Sequence, residues 1–337
     1  MTLKSMKAVV LRSPKAPLEL ADWPLPEPKP HEVRLRLLAA ALNRRDFWIS
    51  QGLYPGILWP VVPGSDGVGV VDSLGSEVPG KWLGQTVMVN PNISWGPAER
   101  VQAPDYHILG MPTQGTLAQY VCVSADRLHP LPAHLSPLEA AAVPLAGLTA
   151  WRALFSRGFL KAGQRVLVTG LGGGVALWAV QLARTAGASV WATSGSNEKL
   201  AQAADLIDGG INYRQSGWAK ELLQATGGFD LIVDGAAGAD FPALIELVQP
   251  GGSIVIYGGT AGNFPAFNAG RLFWKQINIL GSTMGSDSDF VALLDFVEKS
   301  RIVPRIDRVY NLGEVEQAFD RMNQAEQLGK LVIQIAD

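Results

Sequence analysis

"VLVTGLGGGVALWAVQLARTAGASVWATSGSNEKL", residues 166–200, decides the fold. An apolar, strand-like run ends in a turn holding Gly170, Gly172, Gly173 and Gly174, and a helical pattern follows at once. Glycine permits a tight turn and close approach of the backbone to a pyrophosphate. The free N–H groups at the helix start, with the local dipole, then hold the phosphates. The spacing departs from strict G-x-G-x-x-G, since Val175 stands at the sixth position. It fits G-x-x-G-x-x-A through Gly170, Gly173 and Ala176. A glycine turn alone is a weak signal, and could serve packing only. Between a strand and a helix, inside an alternating run, it reads as a dinucleotide site.

Strand and helix patterns alternate from Arg165 through "FDLIVDGA" and "GSIVIYGG" to "INILGSTMG". Near-continuous apolar strands bridged by helices predict a parallel sheet covered on both faces, hence an α/β, doubly wound nucleotide-binding domain. Its predicted span is 136–287, opening on Ser136, Pro137 and Glu139, a cap, a first-turn proline and an early acid. Residues 1–135 read as β-rich, with a turn-rich connector "PLPEPKP" and an irregular lobe over 90–115. Residues 288–337, ending in the strand "KLVIQI", are expected to return to that first domain.

The chain has 337 residues, 47% hydrophobic and 17% charged, and a formal net charge of −2. That balance gives no global pull toward nucleic acid or an anionic membrane. No stretch approaches the ~18 uninterrupted apolar residues of a membrane span. The N-terminal apolar run AVVL is too brief for a signal-peptide core, so the default location is cytoplasmic. The one cysteine, Cys122, excludes an intrachain disulfide and a Cys-rich metal site, and reads as a buried packing thiol. His31, His107, His129 and His134 lack metal-ligand spacing and read as loop or surface residues.

In NAD enzymes an acid near the end of the second strand holds the ribose hydroxyls. Here Thr193, Ser194, Gly195 and Ser196 occupy that place, followed by Lys199. Hydroxyls and a cation suit a 2′-phosphate, so NADP(H) is the expected cofactor. Ser196 or Asn197 can equally cap the next helix, with Lys199 solvated. Gly258, ending "GSIVIYGG", joins the expected cofactor residues.

The motifs "LNRRDFWISQGLYP", "VPGSDGVGVV", "GTLAQYV", "AAVPLAGLTAWRAL", the glycine turn, "SNEKL", "RLFWKQINILGSTMG" and "GKLVI" occur in an order that resembles the medium-chain dehydrogenase/reductase superfamily. The likeness spans nearly the whole chain and is closest to the zinc-independent quinone oxidoreductase-like branch. It implies a GroES-like fold for the first domain and hydride transfer with a nicotinamide. In the family's zinc enzymes a Cys, a His-Glu pair and a second Cys surround the metal. The matching positions here are Asn43, Ser65-Asp66 and Leu145, and the lobe that normally supplies four cysteines has none. Asp66 by itself cannot make a site of three or four ligands. "VVPGSDGVGVV" is therefore read as a turn and packing element, Asp66 as a partner for Ser65, Arg44 or Arg45, and Asp46 as ordering its loop.

A metal-free site favours acceptors whose reduced form spreads its charge, such as quinones and α,β-unsaturated carbonyls. Polarisation is then expected from neutral side-chain dipoles, with no cation held by the polypeptide. The resemblance places Asn43 as the donor facing the nicotinamide, Thr149 beside its ring, and Tyr213 near the adenosine phosphate. Tyr54 is either a donor or an aromatic packed beside Pro55. Trp48, Trp59 and Trp95, with Leu145, are candidates for an apolar substrate pocket, each alternatively a core residue. Arg45 binds an acidic group or is a solvated or salt-bridged residue. An enoyl thioester reductase or a catalytically silent NADPH-binding protein are the other readings. The resemblance further implies a homodimer paired through Ile277–Gly281.

Overall fold

In the computed structural model, which describes residues 5–336, the run opening at Arg165 is the central strand Arg165–Val168 of a six-stranded sheet. The sheet order is Gly209–Asn212, Ser189–Ser194, Arg165–Val168, Phe229–Asp234, Val248–Ile256, Asn278–Gly281, all parallel. Numbered along the chain, that is the order 3-2-1-4-5-6 of a dinucleotide-binding domain, with the switch point between Arg165–Val168 and Phe229–Asp234. The central strands Arg165–Val168, Phe229–Asp234 and Val248–Ile256 carry runs of Val, Ile and Leu because both faces are covered there. On one side Phe229, Ile232, Phe241, Leu244 and Trp218 share a core; the helix Gly174–Thr185 buries Ala176, Leu177, Trp178, Val180 and Leu182.

The chain divides into two units. The cofactor unit is Gly147–Gly285; the catalytic unit ends at Ala146 and resumes at Ser286. The expected boundary at 136 is thus eleven residues early, and that at 288 slightly late. Ser136 does cap Pro137–Ala141, its Oγ accepting from Glu139 N. The helix nevertheless packs on Glu32–Ala41, Asp66–Leu74 and Lys330–Gln334 of the catalytic unit. The helix "NEKLAQAADL" is also shorter than its pattern, ending at Gln202. Beyond it Ala204 N and Leu206 N bond three residues back, in turns. Residues 1–4 and 337, which fell within the sequence-based domain limits and the N-terminal reading, lie outside the described residues.

The catalytic unit is built on a seven-stranded sheet that includes Ile306–Asn311, Lys330–Gln334, Glu32–Ala41, Asp66–Leu74 and Thr86–Val89 in that order. The final strand runs antiparallel to Glu32–Ala41, with Val332 opposite Ala41 and Leu42 N bonded to Leu331 O. This register brings the start of the last strand beside Asn43. In the lobe, Asn92–Ile93 pairs with His107–Ile108, and Trp95 packs edge-on against Tyr106 at 5.2 Å.

Candidate active site

In the cofactor unit Gly170 and Gly172 adopt φ of +67° and +143°, which only glycine adopts without strain. A Cβ on Gly170 or Gly173 would meet nothing within 4 Å, so the space over the start of Gly174–Thr185 is open. The turn is tied to the second strand: Leu171 N donates to Thr193 O (2.7 Å) and Ser194 Oγ donates to Leu171 O (3.1 Å). Ser194 is buried and its hydroxyl is spent on the loop, so it shapes the cradle. Ser196 Oγ accepts from Lys199 N and caps Asn197–Gln202. Gly195 lies under two further groups: a Cβ there would sit 2.7 Å from Tyr213 Oη and 3.0 Å from Arg214 Nε. Tyr213 therefore reaches the loop where the 2′-phosphate was expected, and brings Arg214, which sequence reading missed. Asp234, also missed, closes the switch point by accepting from Thr169 Oγ1 (2.5 Å) and from the N–H of Ala236 and Ala237. Gly258 packs against the Gly235 carbonyl, and buried Thr149 donates to Met284 Sδ at 3.9 Å.

The catalytic unit gathers six buried polar residues: Asn43, Arg45, Asp46, Ser65, Asp66 and Lys330. Lys330 Nζ donates to Leu42 O (2.9 Å), Asn43 Oδ1 (2.7 Å) and Asp66 Oδ2 (2.8 Å). Asn43 Nδ2 donates to the same Asp66 Oδ2 (2.9 Å), while Leu145 N donates to Asp66 Oδ1 (2.8 Å). The expected partners of Asp66 are corrected: Ser65 and Arg45 bond to each other and to Leu109 O instead. The expectation of purely neutral dipoles is also overturned, because Lys330 is a cation held against the Asn43 amide. Asp46 does order its loop, accepting from Asn43 N (2.8 Å) and Gly64 N (3.3 Å). Burial pushes its carboxyl above the usual range, against the opposing pull of Arg45. Gly64, at φ +102°, makes the turn that presents this N–H.

Tyr54 is half-buried with Leu11, Ile49 and Val61, and the Arg45 guanidinium lies 4.9 Å from its ring centre. Trp59 joins that cluster, and Trp48 packs edge-on against Phe47. Trp95 does not reach the polar group. It is buried in the lobe, donating from Nε1 to Ala98 O. Leu145 contributes its backbone N–H rather than its side chain. Cys122 is half-buried on Tyr120–Ser124 rather than fully enclosed. His129 is neither loop nor surface, since it lies on the strand Leu128–Pro130 and packs on Phe290, burial lowering its pKa; His134 lies in a turn, as expected, with Nε2 3.0 Å from Ile302 O. One signal in the sequence could have found Lys330, a lysine placed directly before the apolar run Leu331–Ile333 of the last strand.

Residues 29–133 match the alcohol dehydrogenase GroES-like domain and residues 174–299 the zinc-binding dehydrogenase family. A zinc-type alcohol dehydrogenase-like protein of Leptosphaeria maculans, YogA, is 35% identical over 95% of both chains. The chain belongs to the medium-chain dehydrogenase/reductase superfamily. It is thus an oxidoreductase with a nicotinamide cofactor, built as a GroES-like unit and a Rossmann unit. Within the superfamily the relatives carry different names. Mouse quinone oxidoreductase is 28% identical over 93% of this chain and 92% of its own. A crystal structure named NAD-dependent alcohol dehydrogenase superposes with TM-score 0.92, at 40% identity over 98% and 100% of the two chains. The 2-octenoyl-CoA carboxylase reductase CinF, solved with NADP and 2-octenoyl-CoA, superposes with TM-score 0.90 at 26% identity over 98% and 88%.

Proposed function

We propose that this superfamily member is a zinc-independent, NADPH-dependent reductase of quinones or α,β-unsaturated carbonyls. One observation carries the reading: the Asn43 amide is clamped between Lys330 and Asp66 where the zinc enzymes place a thiolate. The residues there do not fit zinc. The Leu145 side chain has no atom that could ligate a metal, Asp66 is taken up by three N–H donors, and among the described residues no group of three His, Cys, Asp or Glu could hold a metal.

The nicotinamide supplies hydride, and the chain supplies position and charge stabilisation. Lys330 fixes Oδ1 of Asn43, so Nδ2 must face Asp66, and its second N–H is left to donate to a substrate oxygen. The ammonium on the amide oxygen strengthens that donor by polarising the amide. A donor held this way suits an oxygen that becomes an enolate or hydroquinone anion. Tyr54 is the second donor. Tyr213 and Arg214 at Gly195, with Lys199 in the helix that follows, support NADPH over NADH. The relative bound to 2-octenoyl-CoA favours an enoyl thioester as the alternative acceptor. A homodimer is part of the same reading. Among the described residues the strand Asn278–Gly281 pairs with one strand only, and Phe273 and Trp274 beside it are 71% and 84% exposed.

The test mixes purified protein with NADPH and a panel of quinones, enones and enoyl thioesters, following loss of the reduced-nicotinamide absorbance, with metal analysis of the same sample. Turnover by metal-free protein is expected. Tight NADPH binding without oxidation by any acceptor would mean a silent binder, and activity only with added zinc would overturn the metal-free reading.

A further inference from the structure

Arg45 is 8% exposed and carries a full charge into the polar cluster of the catalytic unit. Its Nη1 donates to Ser65 Oγ (2.5 Å) and Leu109 O (2.8 Å). Its Nε and Nη2 are buried and have no hydrogen-bond partner. Neither carboxylate of the cluster supplies one. Asp46 accepts from Asn43 N and Gly64 N, and Asp66 from Asn43, Leu145 and Lys330. A buried charge with unmet donors is costly unless something binds there.

The two unmet nitrogens are not arbitrary. On a guanidinium, Nε–H and the nearer N–H of Nη2 run parallel, the side that takes a carboxylate through two bonds at once. Tyr54 covers the group, its ring centre 4.9 Å from Cζ. Tyr54 lies on a turn bounded by Gly52 and Gly56, both left-handed, with Leu53 exposed, so the cover is a surface loop rather than core.

We propose that Arg45 is a binding site for a carboxylate, reached by displacement of Tyr54, and that the acceptor or product of this reductase bears one. The identity of the ligand as acceptor rests on the proposed reductase function; the binding itself does not. Asn43 takes the reacting oxygen, and Arg45 holds the substrate through a remote planar anion, which orients it.

The test compares benzoate with benzamide, equal in shape and different in charge, by titration calorimetry on the full-length protein. Benzoate is expected to bind at least about tenfold tighter. Arg45→Lys, which keeps the charge and loses the fork, reduces the ratio below about threefold. Tyr54→Ala uncovers the guanidinium and tightens benzoate alone. Should Arg45→Lys fail to fold, the wild-type ratio and Tyr54→Ala decide. Equal binding of the two probes, with no change in Tyr54→Ala, would mean that the fork holds only a structural water, and the proposal falls. If neutral quinones are reduced while benzoate shows no preference, the carboxylate site is wrong and the reductase reading survives. If benzoate binds as expected and no acceptor oxidises NADPH, the reverse holds.

Discussion

Lys330 Nζ lies 2.7 Å from Asn43 Oδ1, so a buried ammonium dictates which end of that amide faces Asp66. Reversing the amide would set Nδ2 against the ammonium and Oδ1 against the carboxylate, two repulsive contacts. Lys330→Met takes the ammonium from buried Asp66 and leaves it with one side-chain amide donor and a backbone N–H. Breaking such a pair costs about 3–5 kcal/mol, read as a lower urea midpoint. Asn43→Ala keeps the Lys330–Asp66 pair intact. It should cost less stability, yet reduce kcat by roughly 10²–10³ by removing the donor to the developing oxyanion. An Asn43→Ala enzyme at full kcat would remove the amide from the mechanism.

Asp46 gives a pH prediction. Burial raises its carboxyl pKa in the folded protein above the unfolded value. Between those two values the folded state binds the proton more tightly. The contribution of Asp46 to stability is therefore complete below the unfolded pKa of about 4 and is lost as pH rises through the folded one. Asp46→Asn cannot ionise. The stability of the variant minus that of the wild type should therefore increase as pH rises upward from about 4, measured by urea unfolding at a series of pH values. A difference that falls as pH rises would show that Arg45 and the N–H donors on the carboxylate, not burial, govern its titration.

The cofactor preference is testable one cation at a time. Lys199→Ala and Arg214→Ala should each weaken NADPH by about 10-fold or more, the range for a charge-assisted hydrogen bond, and leave NADH nearly unchanged. Fluorescence titration of both cofactors measures the ratio. Equal losses for NADPH and NADH in both variants would mean that neither residue meets a 2′-phosphate.

What could be read in advance follows from how local each feature is. The glycine turn, the alternating run and the Ser136 cap are written in consecutive residues; the six-stranded sheet realises the first two, and the helix Pro137–Ala141 the third. Arg214 escaped because its approach to Gly195 depends on neighbouring strands, Ser189–Ser194 and Gly209–Asn212, lying parallel. Lys330 escaped for the same reason over a longer distance: it meets Asp66 across 264 residues, through the register of the last strand. The allegiance of Pro137–Ala141 could not be read from its cap, since a cap fixes where a helix starts and not which sheet it covers. Trp95 looked like a pocket residue by type alone. In the fold it fills a lobe that has no cysteines, with Tyr106 as its neighbour.

Cys122 should be slow to react. Burial, with Glu32 nearby, pushes its thiol up to about 12. At pH 8 the thiolate fraction is then on the order of one in ten thousand, against roughly a quarter for a free thiol. Native protein treated with a disulfide reagent should label at least about a hundredfold more slowly than denatured protein. Rapid labelling in the native state would mean that the strand Tyr120–Ser124 opens readily.

The last prediction concerns self-association. Among the described residues the strand Asn278–Gly281 pairs with one strand, Val248–Ile256, and no strand pairs with its other edge; Arg157 Nε donates to the Gly281 carbonyl at 2.9 Å. Such an edge tends to pair with another chain unless charge, proline or cover prevents it. None of its four residues, Asn, Ile, Leu and Gly, is charged or proline. The helix Ala269–Lys275 just before it leaves Phe273 and Trp274 in solvent, where two large aromatic rings are costly unless covered. Pairing of two copies about a two-fold axis would satisfy both features at once, because an isologous contact places each strand edge against its own copy. The wild type should therefore sediment as a dimer at micromolar concentration. Trp274→Glu with Phe273→Ser should shift it toward monomer while leaving NADPH affinity within about threefold, as the glycine turn lies at the sheet centre rather than at this edge. A wild-type monomer would refute the dimer outright. A double variant that stays dimeric would move the interface away from this helix.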